Sequence, residues 1–511
     1  MLAPRRGVPT PRIYGSAINS WTMASPKLRT LSLLIVSLVF ATLAMRQVAP
    51  KPQAASIAQE PPSAEEAYSP QLRNELKALR DAALTSDYAW GQVAHITENI
   101  GSRPEGSPQA EFAANYVADE LRKLGMDVHL EDVQVPRWTR GAETAELVEY
   151  PGQVPGTTQK IVLTALSGNN PTPPEGITAE VVVVRTFDEL KALGEQKVEG
   201  KIVLYNELYD KKKAAAGYAF KAYAEAVVYR GRGAKAAAAL GAVGSLVRSV
   251  GDADYRIPHT GGSTKAGIAD GAVTAEDAEL IAHLAAQGKV RIHLVLTSQT
   301  GAPVLGHNVI ADIKGSEHPE QIVVVSGHLD SWDLGSGAID DAAGVGVAME
   351  TAHLIHQLNL HPKRTIRVIA WMDEENTGSG QTAYTKAHGS EFGNHVAAIE
   401  SDSGAGHPLG FEGKIPKAAV PLLRPMLAIL AGSGSNLLNI VDDSPEADIT
   451  PMAESGVPAF GLLQDGRDYF KYHHTSADTL DKIDPQALRE NAAAMAVLGY
   501  AVADLPARLP R

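Results

Sequence analysis

The stretch Gln321–Asp341 constrains this chain more than any other. It reads Gln-Ile-Val-Val-Val-Ser-Gly-His-Leu-Asp-Ser-Trp-Asp-Leu-Gly-Ser-Gly-Ala-Ile-Asp-Asp. Four apolar β-formers, Ile322 to Val325, run into Ser326-Gly327, which predicts a buried strand. His328 and Asp330 stand at its end, two residues apart, so an extended backbone projects both side chains to one side. A glycine-rich turn follows, then the adjacent carboxylates Asp340 and Asp341. From Ala342 to Leu358 the pattern predicts a helix with Val345, Ala348, Ala352, Ile355 and Leu358 on one face. A histidine and several carboxylates thus gather where a strand hands over to a helix, the end of an open α/β sheet at which sites form. The expectation is a metal site whose other ligands come from elsewhere in the chain.

Three further predicted strand ends offer them. Arg364 to Met372 runs into Asp373-Glu374-Glu375, Val396 to Glu400 into Ser401-Asp402-Ser403, and Val457 to Leu463 into a loop with His473-His474. Alone, a Glu-Glu pair is usually a solvated turn and a His-His pair usually surface. Four such ends in sequence, all on the carboxyl side of strands, point to one shared centre. Nitrogen and carboxylate donors suit zinc and also admit cobalt or manganese. The absence of cysteine excludes thiolate sites, cysteine nucleophiles and disulfides. Two metals need a bridging carboxylate; together they polarise a carbonyl and acidify water, while a neighbouring Glu takes the proton. That chemistry is amide hydrolysis. His353, His356 and His361 lack a carboxylate pattern and are expected at the surface.

Strands alternating with helices predict an α/β fold with a mixed, mostly parallel sheet flanked by helices. At 511 residues the chain exceeds one ordinary core. Composition shifts near Tyr150, and the block that follows has its own strands and an Ala-rich helix, Gly233 to Leu240, without clustered ligands. The expected organisation is a catalytic domain in two segments, 70–149 and 301–511, split by an inserted α/β domain over 150–300. At the N-terminus, Lys27 and Arg29 precede fifteen uncharged residues, Leu31 to Met45. A membrane span needs about 20, so this fits the core of a signal peptide. A signal region over 1–58, with cleavage near Ser56-Ile57-Ala58, and a linker over 59–69 are expected; an uncleaved anchor is the alternative. The protein is therefore expected to be exported, periplasmic or secreted, with no stable membrane span after processing. A net charge of −13 argues against a nucleic-acid partner. The expected partner is a peptide substrate, and a homodimer is left open.

The motifs Ser-Gly-His-Leu-Asp-Ser-Trp-Asp at 326–333, Gly-Ala-Ile-Asp-Asp at 337–341, Pro-Lys-Arg-Thr at 362–365, Glu-Glu at 374–375, Glu-Ser-Asp at 400–402 and His-His-Thr-Ser-Ala-Asp-Thr at 473–479 carry a resemblance. The chain resembles the co-catalytic zinc exopeptidases of the aminopeptidase family, in the carboxypeptidase Q branch with an inserted protease-associated domain. Arg248 to Gly261 and Thr274 to Leu280 resemble that insert. The resemblance implies a zinc exopeptidase (phosphorylase/hydrolase-like) fold and two zinc ions. His328 and Asp402 would hold one zinc, Glu375 and His474 the other, with Asp340 bridging. Glu374 would be the general base, and Asp330 would orient His328. His474 is favoured over His473 because it directly precedes Thr475-Ser476-Ala477-Asp478-Thr479. The Asp340–Asp341 peptide is expected to be cis. Tyr469 is a candidate oxyanion donor, and Asp448 a candidate pocket residue. The implied activity is hydrolysis of dipeptides or short peptides, of carboxypeptidase or dipeptidase type. The alternatives are an aminopeptidase, an N-acyl amino acid amidohydrolase, or a non-catalytic binding protein on the same scaffold.

Overall fold

The computed structural model describes residues 67–511. The expected signal region and most of the expected linker lie outside the described residues. The sheet that carries Gln321–Asp341 has eight strands: β1 (Asp127–Thr139), β2 (Gln299–Ile313), β3 (His318–His328), β4 (Arg364–Trp371), β5 (His395–Glu400), β6 (Pro408–Lys414), β7 (Leu437–Ile440) and β8 (Ala459–Gln464). Their order is β1-β2-β4-β3-β5-β8-β6-β7. The four central strands, β4, β3, β5 and β8, are mutually parallel, with Val323 opposite Ile366 and Ala397. Outside them, β1, β2 and β6 pair antiparallel with their inner neighbours. The sheet is thus mixed, and parallel where the site residues leave it.

The run Ile322–Val325 is apolar on consecutive residues because the strand is covered on both faces. Val323 and Val325 face one core with α4 (Ala343–Gln357) and α5 (Pro485–Asp504). Ile322 and Val324 face another, with Trp371, Tyr384, Ile449 and Met452. Two further helices, α1 (Pro70–Ala83) and α2 (Pro108–Lys123), start at serine caps. Ser69 and Ser107 cap them by accepting from Leu72 N and Ala110 N at 3.1 Å each, and proline follows each cap. On α2 Phe112 is 63% exposed, and the buried stripe is Ala110, Ala113, Ala114, Val117, Ala118 and Leu121. Small alanines let the helix lie close to the sheet, and Phe112 falls off that stripe.

A second eight-stranded sheet is built from residues that all lie between β1 and β2 in sequence. Its order is Gln159–Ile161, Glu143–Glu149, Arg291–Leu296, Ile177–Val184, Ile202–Tyr205, Gly244–Arg248, Ala269–Val273, Leu163–Ala165. Helix α3 (Ala219–Ala238) packs on it and begins well before the expected Gly233, because long polar and aromatic side chains hide its early period. Among the described residues no helix is long and apolar enough to cross a membrane.

The first turn of α4 passes hard against the end of β5. A Cβ on Gly344 would overlap the Ser401 carbonyl and the Asp341 carboxylate. Gly344→Ala is therefore expected to destabilise the fold by about 1–3 kcal/mol. Denaturant unfolding checks this; a variant as stable as the parent would contradict so close an approach.

Candidate metal centre and active site

The parallel strands β4, β3, β5 and β8 release their chains at one sheet edge, and the ligand-type residues meet there. His328 is the last residue of β3, Glu374 and Glu375 follow β4, Asp402 follows β5, and His473 and His474 follow β8. Asp340 lies between them, just before α4. Its Oδ1 is 3.1 Å from His328 Nε2, which is 3.2 Å from Asp402 Oδ1. Its Oδ2 is 3.3 Å from His474 Nε2, which is 2.9 Å from Glu375 Oε2. The two oxygens of one carboxylate thus face two separate histidine–carboxylate pairs. The Asp340–Asp341 peptide is cis.

Main-chain contacts hold this arrangement. The Asp341 carboxylate accepts from His328 N at 3.0 Å and Gly344 N at 2.9 Å, tying strand end to helix start and leaving Asp340 the freer carboxylate. Asp330 acts differently from the expectation. Its carboxylate accepts from the backbone N–H of Asp373, Glu374 and Glu375 at 2.7, 3.2 and 3.3 Å, which fixes the Glu-Glu turn. So engaged, it stays 3.9 Å from His328 Nδ1, and the Asp330 main-chain oxygen makes the 3.1 Å contact to that nitrogen. Trp332 packs in the core and also donates from Nε1 to Glu375 Oε2 at 2.5 Å. Asp478 accepts from Ala338 N and Ile339 N, both at 2.8 Å.

A cavity of about 490 Å³ opens over the cluster, with Asp340, Glu374, Glu375, Asp402, His474 and Tyr469 in its wall. Glu374 is half-buried, and its carboxylate makes no hydrogen bond among the described residues. Burial pushes that carboxyl well above its usual range, and the Asp402 charge adds to the effect. Burial and then Asp340 raise Glu375 to about 7. Burial would raise Asp340 too, but hydrogen bonds from His328 and His474 hold it well below the usual carboxylate range. Burial opposes the charge of His328 and His474, yet facing carboxylates hold His328 well above its ordinary value and His474 at about 9. His473 and His259 go the other way: burial pushes both well below their ordinary value, and the His474 charge adds to the effect.

His473 stacks on His474, its Nε2 is 3.5 Å from Asp340 Oδ2, and its Nδ1 is 3.1 Å from His259 Nε2. Tyr469 is buried among Phe220, Phe470 and His473, where burial and the Asp340 charge keep its hydroxyl protonated. Asp448 is buried beside Glu400, and Glu446 and Ala447 form the cavity wall there. His356 and His361 are exposed, and His353 stacks on Tyr88 with ring centroids 4.1 Å apart.

Several site residues carry no sequence signal. Arg103 is fully buried and donates to the carbonyls of Gly101, Leu329, Ser336 and Gly337 at 2.6–2.9 Å. It lies in a stretch that reads only as a loop. His259 and Arg230 approach from the second-sheet segment; His259 falls within Arg248 to Gly261, the one hint available.

Fold and cluster together define a metal-dependent hydrolase of the open α/β class. The model of peptidase family M28 matches residues 308–499. Carboxypeptidase Q of Homo sapiens is 37% identical over 431 residues, covering 83% of this chain and 87% of the relative. A crystal structure of a peptidase M28 precursor from Shewanella amazonensis superposes with a TM-score of 0.81 at 34% identity, covering 86% of this chain and 98% of that one. A zinc aminopeptidase from Bacillus subtilis shares the fold, with a TM-score of 0.60 at 21% identity over 83% of this chain and 96% of that one. The chain belongs to peptidase family M28 and is a metallopeptidase.

Arg103→Met would remove a shared donor from four carbonyls, those of Leu329 and Gly337 buried and those of Gly101 and Ser336 half-buried. Removing a buried charged donor of this kind costs roughly 2–4 kcal/mol. The expected outcome is a lower melting temperature together with weaker metal retention on dialysis. Unchanged metal retention would show that the Gly335–Gly337 turn holds Asp340 without Arg103.

Proposed function

We propose that this chain is an exported two-zinc exopeptidase of the carboxypeptidase or dipeptidase type, acting on dipeptides or short peptides. The observation that carries the proposal is the placement of Asp340 Oδ1 and Oδ2 against two separate His–carboxylate pairs. The donors fit a pair of cations. Among the described residues Glu375 Oε1 is buried and accepts no hydrogen bond, the two Asp340 oxygens meet only imidazole nitrogens, and sulfur is absent from an all-nitrogen and oxygen set. His328 and Asp402 would hold one ion, Glu375 and His474 the other, and Asp340 would bridge.

When bound, zinc supplies a Lewis acid for the scissile carbonyl and lowers the pKa of water. Everything else is the work of this chain. Glu374, with its carboxylate facing the cavity and its proton affinity raised by burial, takes a proton from the attacking water and gives it to the leaving amine. The Asp330 carboxylate keeps Glu374 and Glu375 in their turn through three N–H bonds. Trp332 holds Glu375 in one rotamer. Tyr469, protonated and in the cavity wall, would donate to the developing oxyanion. His473 supports His474 by stacking. Residues 150–300 are proposed to be the inserted protease-associated domain.

Glu374→Gln is expected to retain both zinc ions and to lose roughly 10²- to 10⁴-fold in kcat on dipeptides. Near-normal turnover would remove Glu374 as the base. Metal analysis of two histidine variants separates the neighbours: His474→Ala loses zinc and His473→Ala keeps it. The reverse pattern would move the ligand to His473.

A further inference from the structure

We propose that Arg230 is the receptor for the free α-carboxylate of the substrate, and so selects peptides whose leaving residue is C-terminal. The inference deepens the exopeptidase reading above and rests on it. Arg230 lies on α3, a helix of the second-sheet segment, and its side chain reaches the wall of the cavity over the metal cluster. It is the only lysine or arginine among the described lining residues, facing a wall that holds Asp340, Glu374, Glu375, Asp402 and Glu446. Despite this, its guanidinium has no carboxylate partner among the described residues.

Among the described residues its only hydrogen-bond donations to oxygen come from Nη1, to Tyr223 Oη at 2.8 Å and to the Thr260 carbonyl at 3.2 Å. Nε is buried and unpartnered. Gly261 makes room for the group, because a Cβ there would overlap the guanidinium. A guanidinium held by neutral acceptors through Nη1, with Nη2 not buried and making no hydrogen bond among the described residues, and with backbone pared away beside it, is arranged for an anion from outside. Arginine matches a carboxylate through paired N–H donors.

The location sets which carboxylate. Arg230 Nη1 is 3.4 Å from His474 Nδ1, and the other nitrogen of that ring faces Glu375 and Asp340. The guanidinium is therefore one imidazole width from the donor cluster. In a peptide, successive carbonyl carbons lie roughly 3–4 Å apart. A scissile carbonyl at the cluster thus puts the carboxylate of the next residue at Arg230 only if that residue ends the chain. An Asp or Glu side chain is the other source of the same chemistry.

The test compares Ala-Leu, Ala-Leu-NH2 and Ala-Glu-NH2 on the zinc-loaded parent, Arg230→Met and Arg230→Lys. Loss of a charge-assisted hydrogen bond corresponds to roughly 10- to 100-fold. The parent is expected to favour Ala-Leu over Ala-Leu-NH2 in kcat/KM by about that factor. The preference should collapse in Arg230→Met and survive in part in Arg230→Lys. In the Glu374→Gln background, calorimetry should show leucine binding more tightly than leucinamide, with the difference lost when Arg230→Met is added. Equal losses on Ala-Leu and Ala-Leu-NH2 would mean that Arg230 only braces Thr260, and would overturn the proposal. An Arg230-dependent preference for Ala-Glu-NH2 without one for Ala-Leu would assign the site to acidic side chains and overturn it too. If the zinc-loaded parent hydrolyses none of these peptides, the exopeptidase reading fails and takes the inference with it. If it hydrolyses Ala-Leu and Ala-Leu-NH2 equally, only the inference fails.

Discussion

The Asp340 carboxylate is the contact on which the rest of the site depends. It is buried, and three imidazoles approach within 3.5 Å of its oxygens: His328 on one side, His473 and His474 on the other. A buried carboxylate is tolerated only where positive charge or hydrogen-bond donors compensate it. Here the compensating groups come from two different strand ends. β3 and β8 must therefore run parallel with only β5 between them, and β5 contributes Asp402 to the same cluster. The sheet order and the donor set are two aspects of one constraint.

A second layer makes the first rigid. Asp341, Asp330 and Asp478 do not face the cavity; each commits its carboxylate to backbone N–H groups of a turn that does. Arg103 performs the complementary task for the carbonyls around Leu329 and Gly337. The turns that bear the donors are thus fixed through their main chains, and among the described residues only Glu375 of the donor carboxylates is bonded by a side chain outside the cluster, that of Trp332. The second-sheet segment completes the wall. The backbone of Thr260 donates to the His474 carbonyl at 2.9 Å, and that of Asp252 to the Phe470 carbonyl at 2.9 Å. The loop carrying His473 and His474 therefore owes some of its shape to residues far away in sequence.

The donors are legible in the sequence because each follows an apolar strand, and strand ends can be read from short-range pattern. Ile322–Val325 and the Arg364 strand declare themselves by composition, and the order of ligand types matches a family pattern. The central parallel strands follow from that alternation. What stays hidden depends on long-range packing. Arg103 is a loop residue whose four carbonyl partners come from three turns, so no spacing marks it. Arg230 and His259 reach the site across the boundary between two sheets. Proximity in sequence pairs the Asp330 carboxylate with His328, whereas the folded chain brings the Glu374 turn to it first. Phe112 sits at a helical position that looks apolar in sequence, yet the alanine stripe beside it is what meets the sheet.

The most direct test of the central claim is an anomalous-scattering map of crystals of the zinc-loaded protein. Two peaks are predicted on either side of Asp340, one bonded to His328 and Asp402 and the other to Glu375 and His474, with Asp340 bonded to both. A single peak, or a second ion held by His259 and His473 away from Asp340, would contradict the account.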